Sequence, residues 1–137
     1  MSTFAWYSDA GLTAPLTRAD FVRGTTSAPV DKIVYFGSPA TGQKLQDATS
    51  PGVAALQVTV SDAASGSGVE AANIKLALTA GGLATATGGA ALSIGTTLLS
   101  GAANAVAVYV RLTSALTTAG NYDDVSLRVA NWLESAV

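Results

Sequence analysis

The run Val106–Leu112 (VAVYVRL) constrains the fold most strongly, because its residues alternate with a period of two. Every second residue is Val or Leu, and the residues between them are Ala, Tyr and Arg. A half-buried strand has this period and a helix does not. The run therefore predicts a strand with its Val and Leu side chains in the core and Ala107, Tyr109 and Arg111 on the opposite face.

The same alternation predicts three more strands, in Leu56–Ser61, Ile74–Thr79 and Val125–Val129. A polar loop containing Gly and Asn separates Val106–Leu112 from Val125–Val129. Such a loop joins antiparallel neighbours, so these two strands are expected to form a long hairpin.

Two further segments have strand character without clean alternation. Lys32–Phe36 is β-branched and aromatic on both faces, which predicts a buried strand. Phe4–Tyr7 is expected to be an edge strand. Helix signals are weak: Val69–Ala72 is long enough for one turn, and glycines interrupt the alanine-rich segment Ala84–Leu92.

Six or more short strands in 137 residues predict an all-β fold, an antiparallel, immunoglobulin-like β-sandwich with little helix. The length fits one domain over residues 1–137, in which residues 1–15 are expected to form an extended N-terminal arm.

The segment Leu76–Val110 contains no charged residue, so it must be weighed as a membrane span. It holds six glycines and five threonines, which are poor helix formers, and no cluster of Lys or Arg flanks it. We therefore expect no membrane association, and the start Met1–Gly11 lacks the features of a signal peptide. The simplest part, Gly81–Gly89 (GGLATATGG), is expected to be either a long surface loop or a packing surface of small residues.

Composition excludes several function classes. The chain has no histidine and no cysteine, which removes Ser-His-Asp and Cys-His catalysis, imidazole and thiolate metal sites, and disulfide scaffolds. Seven basic and nine acidic residues give a net charge of −2, and the basic residues are scattered singly, so no nucleic-acid binding is expected. We expect neither a cofactor nor an enzymatic activity.

Three weak motifs are explained as well or better by ordinary loops. Gly66–Ala71 (GSGVEA) matches the spacing of a dinucleotide-binding turn, but no long helix and no acidic residue follow at the required places. Asp123 and Asp124 are adjacent carboxylates that a calcium ion would accept as ligands, and a solvated turn explains them equally well. Nothing in the sequence pairs the other acids for glycoside hydrolysis; they are Asp9, Asp20, Asp31, Asp47, Asp62, Glu70 and Glu134.

Aromatic residues suggest either a sugar-binding platform or anchors of a protein interface, although core packing accounts for most such residues. Trp132 breaks the alternation after Val129, so we expect it to face outward or to lie at a bulge. The aromatic residues weighed in this way are Trp6, Tyr7, Tyr35, Tyr109, Tyr122 and Trp132.

The low charge points to burial in an assembly. Only 12% of the residues are charged, about half the usual share. A surface poor in Lys and Glu is typical of an interface core, and a biased composition of the source is the alternative explanation.

Three segments together resemble a family. Trp6–Leu16 (WYSDAGLTAPL), Pro29–Ser38 (PVDKIVYFGS) and Gly89–Leu92 (GAAL) are similar to segments of the small β-sandwich structural proteins on the heads or tails of tailed bacteriophages. The resemblance implies a non-enzymatic virion protein, made in the host cytoplasm, that decorates or cements the capsid lattice. It implies contacts with the major capsid protein or other virion proteins and a homo-oligomer, with a trimer among the options.

No residue matches a known binding site of that family, so no site is transferred. The N-terminal segment Ser2–Pro15 and the neutral region Leu83–Asn104 are the expected contact surfaces. Two alternatives remain: a tail, baseplate or fibre module, and a carbohydrate-binding sandwich that uses Trp6, Tyr109 or Trp132. The candidate interface residues are Phe4, Trp6, Tyr7, Leu12, Leu83, Leu92 and Trp132.

Overall fold

A computed structural model describes residues 3–16, 29–62, 70–113 and 125–137. These residues form an all-β, antiparallel, sandwich-like fold with only three short 3₁₀ turns, which confirms the predicted fold class. The strands are β1 (Ala5–Tyr7), β2 (Val30–Gly37), β3 (Gln43–Asp47), β4 (Gln57–Asp62), β5 (Ile74–Ala77), β6 (Leu92–Ser93), β7 (Thr97–Leu99), β8 (Val106–Leu112), β9 (Val125–Val129) and β10 (Trp132–Ala136). The 3₁₀ turns are Ala71–Asn73, Gly81–Ala84 and Ala102–Asn104.

The strands of the described residues are divided among three sheets. The four-stranded sheet has the order β1-β2-β8-β5. The order in the second sheet, here the β3 sheet, is β10-β3-β7, and in the third, the β4 sheet, it is β6-β4-β9. An immunoglobulin domain, by comparison, has two sheets.

The expected hairpin between Val106–Leu112 and Val125–Val129 is wrong, although both strands exist with the predicted bounds. Strand β8 pairs with β2 on one edge and with β5 on the other, so it has no edge left for β9. Strand β9 pairs instead with β4 in a different sheet.

Strand β2 is not buried on both faces as predicted. Val34 and Phe36 are buried, whereas Ile33 is 41% exposed and Asp31 is also exposed. The strand is interior in its sheet, but among the residues that the structure describes no second layer covers the outer face at Ile33. Similarly, β5 ends at Ala77, and Leu78, predicted to point inward, is exposed.

The main core lies between the inner faces of the three sheets. Its fully buried centre includes Leu45 of β3, Val58 of β4 and Val108 of β8, one residue from each sheet. Trp132 packs against this core as the first residue of β10, so it occupies neither a bulge nor a fully outward position.

The corner between β9 and β10 depends on Asn131, which has a positive φ of 55°. The carbonyl of Asn131 accepts a hydrogen bond from the Ala48 N–H at 2.9 Å. Its amide nitrogen donates to the Asp47 carboxylate at 3.1 Å and to the Thr49 hydroxyl at 3.0 Å. Asn tolerates the left-handed region better than most residues, and these bonds hold it there.

The N-terminal segment is part of the domain and not an extended arm. Strand β1 is an edge strand paired with β2, as predicted, and Phe4 is buried in the main core. The chain then turns back along β1, where the Leu16 N–H donates to the carbonyl of Trp6 at 2.9 Å. Burial of Phe4 and Leu12 ties the segment to the sheet.

The glycine-rich segment Gly81–Gly89 is a packing surface rather than a simple loop. Leu83, within the Gly81–Ala84 turn, has no exposed surface. A Cβ added to Gly88 would lie 2.0 Å from the carbonyl oxygen of Ala72, so the two backbone segments touch directly. The single turn expected at Val69–Ala72 overlaps the observed Ala71–Asn73 turn at two residues, and Val69 lies outside the described residues.

Within the described ranges, none of the helical segments has the length and apolar character needed to cross a bilayer.

Candidate interaction surface

The outer face of the four-stranded sheet carries a row of aromatic and aliphatic residues, of which Ile33 is exposed and the others are partly exposed. The inward residues of β2 and β8 are paired in register, as in Val34 with Val108. Because side chains alternate along a strand, Ile33 and Tyr35 of β2 and Tyr109 of β8 point outward. Ile33 lies directly opposite Tyr109, and Tyr35 lies opposite Ala107. We call Ile33, Tyr35, Ala107 and Tyr109 the tyrosine face.

Two flanking segments cover the margins of this outer face. Tyr7 lies opposite Tyr35, and Ala77 lies opposite Tyr109, yet both are buried. Leu12 packs so closely over Gly37 that a Cβ there would lie 3.0 Å from the leucine Cδ1. The Gly81–Ala84 turn contacts β5 and β8 on the other side. The tyrosine face is therefore the part of this sheet surface that the described flanking segments leave partly open.

The buried residues along these margins correct part of the predicted interface. Tyr7, Leu12 and Leu83 are buried outside the main core cluster, and Phe4 is buried within it. Their side chains are enclosed by the chain itself, so we assign these four residues to internal packing. Apolar side chains in a poorly charged segment look the same in sequence whether they pack inside or outside.

The other candidate residues are half-buried. Trp6, Leu92 and Trp132 pack against the main core, and Trp6 also contacts the ring of Phe36 with centroids 5.0 Å apart. Part of each side chain reaches the surface, so their role in an interface stays a prediction.

A row of three charged residues borders the tyrosine face. Asp31, Arg111 and Lys75 lie side by side on β2, β8 and β5. Arg111 donates two hydrogen bonds to Asp31, from Nε to Oδ1 at 2.8 Å and from Nη2 to Oδ2 at 3.0 Å. These bonds hold the pKa of the Asp31 carboxyl below its usual range and raise the pKa of Arg111.

The lowered pKa of Asp31 predicts a pH-dependent stability difference. The contribution of the carboxylate is fully present above its unfolded pKa of about 3.9 and is lost as the pH falls through the lower folded pKa. Asp31→Asn should therefore lower the melting temperature at pH 7 and converge with the wild type in acid. Thermal melts from pH 7 down to pH 2 check this, with Ser126→Asn as a non-titrating strand control; a gap that persists at pH 2 contradicts it.

The outer faces of the other two sheets have different chemistry. The outward residues of the β4 sheet are polar, as in Thr59 opposite Arg128 and Ser61 opposite Ser126. The β3 sheet exposes Leu99 of β7 and Leu133 of β10, each beside polar neighbours. Of the sheet faces in the described residues, the four-stranded sheet is the one with partly exposed tyrosines.

Two of the described carboxylates, Asp9 and Asp47, serve local structure. Asp9 accepts hydrogen bonds from the Thr13 hydroxyl and from the Thr13 and Ala14 N–H groups, and the first of these contributes most to its lowered pKa. Asp47 accepts N–H bonds from Thr49 and Ser50, which likewise lower its pKa. These two acids hold turns.

No group of three or more metal-ligating side chains occurs within residues 3–16, 29–62, 70–113 and 125–137. Several positions named in the sequence analysis lie outside the described residues: the Gly66–Val69 part of the dinucleotide-like turn, Asp20, Tyr122, Asp123 and Asp124.

From the sequence, Tyr35 and Tyr109 are candidate aromatic residues, and Tyr109 is predicted to face outward. The sequence does not predict that Ile33 and Lys75 lie on the same outer face. The available signal was the alternation of Asp31, Ile33 and Tyr35 with Val34 and Phe36. Searches of family models, curated proteins and solved structures gave no match to this chain.

Proposed function

We propose that the protein is a non-enzymatic structural component of a virion, a decoration or cement protein that binds the capsid lattice through the tyrosine face. The observation that carries the proposal is the open strip of Ile33, Tyr35 and Tyr109 between two covered margins. Partly exposed tyrosines are common anchors of protein interfaces, because they combine apolar area with a polar tip. The likeness of Trp6–Leu16 and Pro29–Ser38 to tailed-phage proteins supplies the kind of assembly.

The physical mechanism is burial of apolar surface repeated over many copies. Burial contributes about 25 cal/mol per Å² before the cost of association is subtracted. A modest face on each copy therefore strengthens a shell when it spans neighbouring capsid subunits in large numbers. The low charge of the chain reduces the desolvation cost of such contacts.

Two alternatives use the same face differently. A tail, baseplate or fibre module would make the same contacts at low copy number. A carbohydrate-binding module would stack a sugar on Tyr109, whose outward position supports this second candidate.

The first experiment is to quantify the protein in purified virions of the phage that encodes it, by mass spectrometry against the major capsid protein. A ratio near one supports decoration. A few copies per particle support the tail alternative, and complete absence overturns the virion proposal.

A face-specific variant tests where the contact lies. Ile33→Asp places a charge in the centre of the tyrosine face and should lower occupancy on particles lacking the protein at least about tenfold, equivalent to about 1.4 kcal/mol. Leu99→Asp is the matched control, because Leu99 is 44% exposed on a strand of the β3 sheet. Co-sedimentation measures both, and circular dichroism checks folding. Loss with Leu99→Asp and not with Ile33→Asp would move the interface to the β3 sheet.

A further inference from the structure

The charged row beside the tyrosine face contains two positive charges, of Arg111 and Lys75, and one negative charge, of Asp31. Lys75 lies directly opposite Arg111 on the neighbouring strand, and like charges in that position repel each other. Asp31 offsets the charge of Arg111 from the other side through its two hydrogen bonds. Among the described residues, no carboxylate pairs with Lys75.

Arg111 and Lys75 have hydrogen-bond donors that Asp31 does not use, and these donors favour a ligand with negative charge. A guanidinium has five N–H donors, and Asp31 accepts two from Arg111. The Lys75 ammonium adds three more. A carboxylate bound beside Lys75 and Arg111 would restore alternating charges across β2, β8 and β5.

The charged row lies beside the apolar side chains of the tyrosine face, so a ligand that contacts both needs an apolar part as well as a negative charge. Ile33, at the centre of the tyrosine face, is aliphatic and branched, so it suits apolar side chains better than the flat face of a sugar ring. Ile33 and Tyr109 form one cross-strand pair, and Asp31 and Arg111 form the pair two residues farther along the same strands. One short segment can therefore contact both the apolar strip and the cations.

We infer that the tyrosine face binds an acidic protein segment, with apolar side chains on Ile33, Tyr35 and Tyr109 and a carboxylate held by Lys75 and Arg111. This rests on the proposed function and specifies the partner of the same face. Charge complementarity with Lys75, which has no carboxylate partner within the described ranges, is the argument for an acidic segment rather than a neutral one.

Model peptides test the charge preference directly. The probes are acetyl-Val-Tyr-Val-Glu-Glu-amide, its Gln-Gln analogue and its Lys-Lys analogue, titrated into the ¹⁵N-labelled full-length protein. The Glu-Glu peptide should shift the amide signals of Ile33, Tyr109 and Arg111 and bind at least about threefold more tightly than the Gln-Gln peptide. Sodium chloride at 0.5 M should reduce this difference, because salt screens exposed charges.

A charge reversal gives the sharper test. Lys75→Glu replaces a like-charge pair with an opposite-charge pair, so the fold should be retained. The variant should lose the preference for Glu-Glu and gain one for Lys-Lys. Lys44→Glu, on a half-buried lysine of the β3 sheet, is the matched control and should leave the preference unchanged.

Three outcomes would overturn the inference: equal binding of the Glu-Glu and Gln-Gln peptides, no signal change on the tyrosine face, or tighter binding of an alginate oligosaccharide than of the Glu-Glu peptide. The particle assay separates this failure from failure of the proposed function. If Ile33→Asp abolishes occupancy and Lys75→Glu does not, the face is the interface and the acidic segment is wrong.

Discussion

Deleting residues 1–15 is expected to unfold the protein rather than to release an intact domain without its arm. The deletion removes the buried side chains of Phe4, Tyr7 and Leu12 and the whole of edge strand β1. Losing one large buried side chain costs about 2–5 kcal/mol. Three such losses together are comparable to the total stability of a domain, about 5–15 kcal/mol.

Urea denaturation of the full chain and the truncated chain, followed by circular dichroism, measures this effect. The single variant Phe4→Ala should already lower the free energy of unfolding by about 3–5 kcal/mol. Val53→Ala is the control, because Val53 is 80% exposed and should change stability by less than about 0.5 kcal/mol. A truncated protein with a wild-type transition would contradict the packing of β1 described above.

Gly88→Ala is expected to destabilise the fold by about 3 kcal/mol, at the upper end of the usual range for overpacking. The added Cβ would lie 2.0 Å from the carbonyl oxygen of Ala72 and 3.0 Å from its carbonyl carbon. Both are backbone atoms, so no side-chain rotation relieves the overlap. The segment around Gly88 would have to move, although the N–H of Gly89 holds it to the carbonyl of Ile74 at 2.8 Å.

The same glycine-rich segment offers a matched control. An added Cβ on Gly81 meets no atom within 4 Å, so Gly81→Ala should be neutral or stabilising by up to about 1 kcal/mol. Thermal and urea unfolding of the two alanine variants compare them directly. Equal stability of the two variants would show that the contact between Gly88 and Ala72 does not constrain the fold.

Alternation predicted the strands well because it reports directly on the pleat. It gave β8 and β9 their observed bounds and put Val108 and Val129 inside. It failed on the partners of those strands, because the alternation of one strand says nothing about which edges are already occupied. The hairpin prediction failed for this reason.

The surface proposed as an interface was harder to predict from the sequence than the strands were. The pleat shows that Ile33 and Tyr7 lie on outward faces, but it does not show that a return segment covers one and leaves the other open. That cover comes from residues distant in sequence, such as Leu12 over Gly37. The tyrosine face therefore emerges only when the flanking segments are placed.

The corner at Asn131 has a consequence for how the chain finds its fold. Only Ala130 and Asn131 separate β9 from β10, yet the two strands belong to different sheets. A slip of one residue in β9 would turn Leu127 away from the core and would also displace Trp132 from its packing position. The short corner thus couples the register of β9 in the β4 sheet to the register of β10 in the β3 sheet. A shift of β9 would therefore destabilise the packing of both sheets.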